Sequence, residues 1–559
     1  MQIKKSLLNN IHPNGGFLWG AATSSYQVEG GIDNNDWNFF TSDDSIKQRL
    51  YSISKPSIFY KGNIHRINLR NAGDACKVWK EEYYLQDFDL AKSLGMNALK
   101  ISLEWARIEP KRNVWNEEAL SHYREMIKAM KSKGLKPIVA LNHLTLPEWV
   151  LTPPKNFIKK LYQNCLPSPL RDLPIGDPPK NDPFWKSLRG WENYETVESF
   201  TKYVERVVQY LKDEVDYWIT LGEPVASVIG GGHLAGIYPP GFFLDGNRAK
   251  ATLHNLIEAH VQAYEVITSI DDVDADLDGI TKKVGVSHFM VSVSPDKSSL
   301  PFGILQKRNS QAADNFRYFI NDYFLNAVIN GEEDLNYLET LKKLVRSNNN
   351  FIVREKWKNK VDFIGLNYYR RVHISYSKIL SLSSAKFLGG VFNNNNNNRK
   401  TPDRSLVNDL GWEVYPQGLY EILKSIKQNW DKPILITENG IADANDRIRA
   451  PFIIAHLQNL KKAIDDGIDI IGYLHWSLID NYEWTEGFRA EGKFGLFYIN
   501  HYGSNNNNLN RKITRGAEAL KLIIEESFLD NKQGLISNMS LAKAETKYGS
   551  ISPDGTCIK

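Results

Sequence analysis

Residues 216–223 read DYWITLGE, an apolar run rich in aromatic and β-branched residues that ends on a glutamate. Such a composition favours an extended strand, which places Glu223 at its C-terminal end. A second run of the same kind, KPILITENG (432–440), carries Glu438 near its end. Six more short apolar runs flank these two: 17–30, 98–105, 136–143, 282–294, 361–369 and 469–478. Between them lie segments of helical periodicity with charged outer faces, such as 82–95, 116–134, 193–214 and 452–467, and several stop at a glycine. Eight strands alternating with helices predict an α/β fold, a single (β/α)8 TIM barrel with long loop insertions; an open doubly wound sheet is the structural alternative.

Several stretches break the rhythm. Residues 41–70, the proline-crowded 153–190 and the region 375–410 are expected as insertions, and the Asn runs 393–398 and 505–508 as surface loops. The segment after about residue 530 shows no strong periodicity, so a loosely packed tail is expected. The three Gly at 230–232 read as a loop rather than a phosphate-binding turn. With no solenoid repeat and no linker, all 559 residues read as one catalytic domain.

Composition narrows the function further. At 42% hydrophobic and 24% charged, the chain has a soluble globular profile. A net charge of only +4 gives no reason to expect nucleic acid or an anionic membrane as partner. Cys76, Cys165 and Cys557 are scattered, which argues against a disulfide framework or a Cys-based zinc site. The start lacks a signal h-region and no run is long enough to span a membrane, so a cytoplasmic location is the expectation.

The polar residues at the strand ends are the informative ones, because barrel enzymes keep their chemistry there. They are Gln27 and Glu29, Glu104, His143, Glu223, Asn367 and Tyr369, Glu438 and Asn439, and His475 and Trp476. Taken singly, a strand-end glutamate is more often a salt-bridge or loop anchor. Two carboxylates at barrel strand ends, ringed by amides and aromatics, suit glycoside hydrolysis. One stays protonated to donate to the leaving oxygen; the other stays ionised to attack or stabilise an oxocarbenium-like centre. A separation of about 5–5.5 Å gives retention and a wider gap inversion. His143 and His475 lie on different strands without a nearby His, so neither a metal nor another cofactor is required.

TLGEP (220–224) and ITENG (436–440) resemble the two catalytic signatures of glycoside hydrolase family 1, and FLWGAATSSYQVEG (17–30) resembles its N-terminal signature. SLEWARIEP, NHLTLPEW, DFIGLNYY, GWEVYPQGLY and GYLHWSLIDNYEWTEGF fall in the family's order, so the resemblance runs from about residue 16 to about 500 and looks closest to the archaeal branch. It implies a retaining β-glycosidase acting on β-linked glucosides, galactosides or related sugars. Glu223 would be the acid/base and Glu438 the nucleophile, with Tyr369 and Lys100 beside the latter. Gln27, His143, Asn367, Trp476, Glu483 and Trp484 would meet the sugar. A carboxylate at Glu483 suits neutral hydroxyls and would repel a 6-phosphate. By analogy with archaeal relatives, a homo-oligomer is expected.

Three departures qualify this. Gly222 stands where the family has an Asn reaching the sugar 2-OH; Lys100 replaces an Arg and loses its planar fork. Leu144 replaces an aromatic that often follows the His, a milder change. Gly222 is expected to enlarge the space near C2. Transglycosylation by the same carboxylate pair and a catalytically weakened sugar-binding barrel stand as the alternative readings.

Overall fold

The computed structural model describes residues 16–42, 71–154, 177–178, 180–242, 245–296, 303–335, 351–376, 385–388, 405–501, 509–531 and 533–558. Its centre is one closed barrel of eight parallel strands. They are β1 (Leu18–Ala22), β2 (Ala98–Ser102), β3 (Lys136–Ala140), β4 (Tyr217–Gly222), β5 (Lys283–Phe289), β6 (Phe363–Asn367), β7 (Ile434–Asn439) and β8 (Ile470–Trp476). Each pairs with its sequence neighbour, and β1 closes the ring against both β2 and β8. All eight fall within the runs predicted from sequence. The closed ring replaces the open-sheet alternative.

The strands are short, and their burial explains their composition. The strand core is shielded on both faces, so the runs are apolar throughout rather than alternating. Inside the ring, Leu18, Ile138, Ile219, Leu435, Ile471 and Leu474 pack together; outside it, a larger cluster fills the space beneath the helices. Each fully buried Leu or Ile contributes about 1.5–3 kcal/mol. Gly285 is required by this packing, because a Cβ there would come within 2.6 Å of the Phe363 ring.

The outer layer holds α1 (Glu81–Ser93), α2 (Glu117–Ser132), α3 (Tyr194–Leu211), α4 (Gly246–Ile270), α5 (Gly303–Arg317), α6 (Pro416–Asn429) and α7 (Arg449–Asp465), of which α1, α2, α3 and α7 match the amphipathic segments named from sequence. Asn116 and Asn193 cap α2 and α3 by accepting from backbone N–H groups two or three residues on. The sequence run 282–294 splits in two: after β5, Ser292–Pro295 leaves the barrel to pair with Arg371–Tyr376 in a small separate sheet. The insertions predicted over 41–70, 153–190 and 375–410 lie largely outside the described residues, and both Asn runs wholly so.

The segment after residue 530 is not loose. Helix α8 (Arg515–Asp530) is followed by α9 (Asn538–Tyr548), which Ser537 caps and which packs on α7 and α8 through Leu541, Ala544 and Tyr548. The intervening turn meets the start of β1, where Gln533 and Gly534 carbonyls accept from Phe17 N and the Trp19 indole at 2.7 Å each. Beyond α9, Pro553 and Gly555 carbonyls accept from Gln417 and Leu406 backbone N–H. The buried stripe of α9 is made of Ser, Leu, Ala and Tyr, too weakly apolar to register as a helical period.

Candidate active site

Glu438 occupies the penultimate position of β7, where the ladder is irregular. Ile436 pairs with Leu366 and Glu438 with Asn367, so two steps along β7 match one along β6. Such an offset re-aims the side chain beyond it. The Glu438 carboxylate is buried and takes one hydrogen bond on each oxygen: Lys100 Nζ donates to Oε1 at 2.6 Å, and the Tyr369 hydroxyl to Oε2 at 2.7 Å. Burial alone would raise its pKa, but the Lys100 charge and the hydrogen bonds from Lys100 and Tyr369 hold it below the usual carboxylate value. Tyr369 keeps its proton, because burial and then the Glu438 charge push the phenol well above its ordinary pKa. Lys100 itself sits on β2, fully buried. A pair of this kind carries a desolvation penalty, and removing either partner strands the other charge.

Glu223 follows the last residue of β4, past another shift in register against β5. Its φ of +48° is left-handed, a conformation unusual for a residue with a Cβ and frequent at functional sites. The chain then enters a wide helical turn over Pro224–Leu234, with i→i+5 bonding. Gly230–Gly232 thus belong to a helical segment rather than the loop expected from sequence. In it, Gly231 and Gly232 lie against Tyr238 and Pro239 too closely for a Cβ. The Glu223 carboxylate accepts from Asn367 Nδ2 on Oε1 at 2.8 Å and from Ser227 Oγ on Oε2 at 2.5 Å. Burial first, and then the negative charge of Glu438, push it up to about 7 against the pull of these two donors and Lys100. One carboxyl is poised to hold a proton near neutrality, and its neighbour to stay charged.

The other predicted residues line the surroundings of this pair. Gln27 rides on a one-turn helix after β1, Ser25–Val28, where its Nε2 donates to Tyr482 O at 2.6 Å. His143 is neutral: burial, then Lys100, lower its pKa to about 4. Its ring stacks parallel to Trp476 (5.9 Å, 5°) and nearly so to Trp484 (6.1 Å, 15°). Trp484 is backed in turn by Tyr26 and Trp37. The Gln27 Oε1 and His143 Nδ1 atoms are buried without a protein partner, and buried polar groups are rarely left so. Glu483 is raised to about 8 by burial and then Glu486, and it lies within the fields of Glu223 and Glu438.

Asn367, expected at the sugar, is fully buried, and three of its hydrogen bonds are to protein groups. Its Oδ1 accepts from Ser287 and Thr437 hydroxyls at 2.8 and 2.7 Å, while Nδ2 holds Glu223. Glu29 and Glu104 also stand at strand ends but serve as anchors: Glu29 pairs with Arg107 and Tyr123, and Glu104 accepts from Ser25, Asn35 and Thr145. Asn439 donates to Tyr368 O, and His475 is buried beside Tyr473. Gly222 does not open a wide gap. A Cβ there would lie 3.2 Å from His143 Nδ1 and 3.4 Å from Asn142 O, so the loss is of an amide donor rather than a gain of room. Ser227 escaped the sequence reading; its one signal is a spacing of four from Glu223, visible only if 224–234 is helical.

Among the described residues, one trio of carboxylates could gather about a cation: Asp216, Asp274 and Asp276. It lies before the start of β4, at the opposite end of that strand from Glu223, and Lys136 already bonds Asp276 at 2.8 Å. No helix of the described residues is long and apolar enough to cross a membrane.

Comparison with known proteins places this geometry. Residues 9–154 and 185–527 match the model of glycosyl hydrolase family 1. A β-galactosidase of Pyrococcus woesei is 29% identical over 530 residues, covering 87% of this chain and 92% of that one. A 1,4-β-D-glucan glucohydrolase of Thermotoga neapolitana is 28% identical, covering 87% and 97%. The solved β-glycosidase from Pyrococcus horikoshii superposes with a TM-score of 0.67 at 28% identity, covering 96% of this chain and 98% of that one. The family match embraces all eight barrel strands and both carboxylate-bearing strand ends, and the chain belongs to glycosyl hydrolase family 1, a family of retaining β-glycosidases.

Proposed function

We propose that Glu438 is the nucleophile and Glu223 the general acid/base of a double displacement on neutral β-glucosides, β-galactosides or related sugars. The observation that carries this is the opposite poise of two carboxylates that feel each other's charge: Glu438 held low, Glu223 pushed to about 7. In the first half-reaction Glu223 gives its proton to the glycosidic oxygen as Glu438 bonds to C1. That bond removes the Glu438 charge, one of the two causes of the raised Glu223 pKa. Glu223 then relaxes toward a carboxylate and takes the proton of the attacking water. Gln27, His143 and Glu483 supply polar contacts to hydroxyls, and Trp476 and Trp484 offer ring faces. Glu483, pushed up to about 8, is largely protonated near neutrality, where it offers a neutral hydrogen-bonding group to a sugar hydroxyl; it would repel a 6-phosphate only as pH rises toward 8. The intact, oppositely poised pair favours catalysis over the sugar-binding reading, and the packing of α8 and α9 onto α7 supports one domain.

The test is a pH profile on a 4-nitrophenyl β-glucoside, with NMR of the first-formed anomer. Glu438 must be charged, so activity falls as pH drops through its lowered pKa, below about 4.5. Glu223 must be protonated, so activity falls as pH rises through about 7. A bell between these limits with a β-anomer product is expected; a flat profile to pH 9, or an α-anomer product, would overturn the assignment.

Gly222 sets a second expectation. Hydrogen bonds to the 2-OH supply several kcal/mol in ordinary glycosidases, or roughly 10³-fold at about 1.4 kcal/mol per decade. Without the amide at 222, the 2-deoxy substrate is expected to lose less than about 100-fold in kcat/KM. A loss of the full size would show that another group holds that hydroxyl.

A further inference from the structure

The reading of Glu223 as acid/base leaves open which of its oxygens carries the proton. Asn367 biases this choice. With its Oδ1 occupied by the Ser287 and Thr437 hydroxyls, it presents Nδ2 to Glu223 Oε1, and an amide N–H can only donate. The carbonyl-type oxygen of a neutral carboxyl is the stronger acceptor, so the amide favours that role for Oε1, and the mobile proton is favoured on Oε2. The protein partner of Oε2 is Ser227 Oγ, 2.5 Å away and one turn further along the wide helix. Ser227 is buried, and its N–H donates to the Glu223 carbonyl at 3.2 Å. The left-handed φ at Glu223 precedes this turn, and residues four apart in a helix share a face.

Two protons cannot point at each other across 2.5 Å. A hydroxyl resolves this, because it rotates about Cβ–Oγ and has both a donor and acceptor lone pairs. We infer that Ser227 is a positioning residue with a reversible hydrogen bond, accepting from Oε2–H while Glu223 is an acid and donating to Oε2 when it is a carboxylate. With substrate bound, the Oε2–H turns from Ser227 toward the glycosidic oxygen, and during glycosylation that O–H bond breaks and the proton goes to this oxygen. The C1–aglycone bond breaks as Glu438 bonds to C1, and Ser227 turns to donate. During hydrolysis, water oxygen bonds to C1, one water proton goes to Oε2, the Glu438–C1 bond breaks, and Ser227 turns back. Its own proton count never changes. A backbone N–H or an amide in its place would favour only the charged form.

The test compares pH profiles of kcat/KM for Ser227→Ala and Ser227→Thr on an aryl β-glucoside with a poor leaving group. Alanine removes the bond in both states, but the charge-assisted one to the carboxylate is the stronger, so the alkaline limb is expected to move up by about half to one pH unit. Threonine, which keeps the hydroxyl, restores the parent limb. An unmoved limb in Ser227→Ala overturns the inference. So does a pH-independent loss that threonine does not restore, which marks a structural role; thermal melting of both variants verifies their fold. Glu223→Gln separates the two levels. If its alkaline limb persists, the acid/base assignment itself fails; if it vanishes while Ser227→Ala is unshifted, only the serine inference does.

Discussion

Glu438→Gly is expected to lower kcat on an aryl β-glucoside by on the order of 10⁵-fold, since the covalent route is lost with its nucleophile. Azide or formate should then restore turnover, and the azide product should be the α-glycosyl azide. The rescue has a specific physical basis in this site. Removing Glu438 leaves the Lys100 ammonium buried and unpaired, along with a Tyr369 hydroxyl that had been donating to Oε2. A small anion entering the space of the missing carboxylate finds both donors aimed at it. The same stranded cation is destabilising, by about 3–5 kcal/mol when a buried pair is broken. The variant should therefore melt below the parent and recover part of the difference in azide. A β-configured azide product, or parental activity without azide, would remove Glu438 from the role proposed.

Glu223→Ala has a different signature, because it removes a proton donor and a base but no bond-forming atom. On substrates with poor leaving groups, kcat/KM should drop by about 10²–10⁴-fold, the usual contribution of general acid catalysis. A 2,4-dinitrophenyl glycoside needs little protonation, so its first step should be nearly unaffected. Its second step lacks a base, so the glycosyl-enzyme should accumulate and give a burst. Azide should accelerate that step and yield the β-product, opposite in configuration to the Glu438→Gly rescue. The alkaline limb of the pH profile should disappear as well, since it reports the Glu223 proton. Equal losses on good and poor leaving groups would contradict an acid role and point to a binding defect.

These contrasts rest on positions that local sequence patterns made visible. The barrel strands were legible because each is a short apolar run bounded by polar turns, and because burial on both faces suppresses alternation. Helices α1, α2, α3 and α7 carry enough charge on one face to show their period. What escaped has a common cause, contact between distant segments. Helix α9 has a faint apolar stripe, and its place is set by α7, α8 and backbone bonds to residues near 17 and 406–417. The 224–234 segment holds Pro and three Gly, which local propensity reads as loop; in the fold, Gly231 and Gly232 accept the close approach of Tyr238 and Pro239.

Within the site the division is similar. Glu223 and Glu438 were marked by where they stand relative to their strands, and Tyr369, Lys100, Gln27, His143, Trp476, Glu483 and Trp484 by likeness to a family. By itself the sequence determined the eight strands alternating with helices, the two carboxylate positions and the likeness to a family, while closure into a barrel rather than an open sheet was decided by the fold. The sequence could not place Asn367 against Glu223, separate Glu29 and Glu104 as anchors, narrow the space at Gly222, or reveal Ser227. Which carboxyl holds the proton came only as an implication of the family likeness, and its physical cause only from the fold. Those properties depend on burial, on charges brought together from strands far apart in the chain, and on which oxygen each donor reaches. Hydrogen-bond direction and desolvation act over a few ångströms in space, so they exist only once the ring of strands has closed.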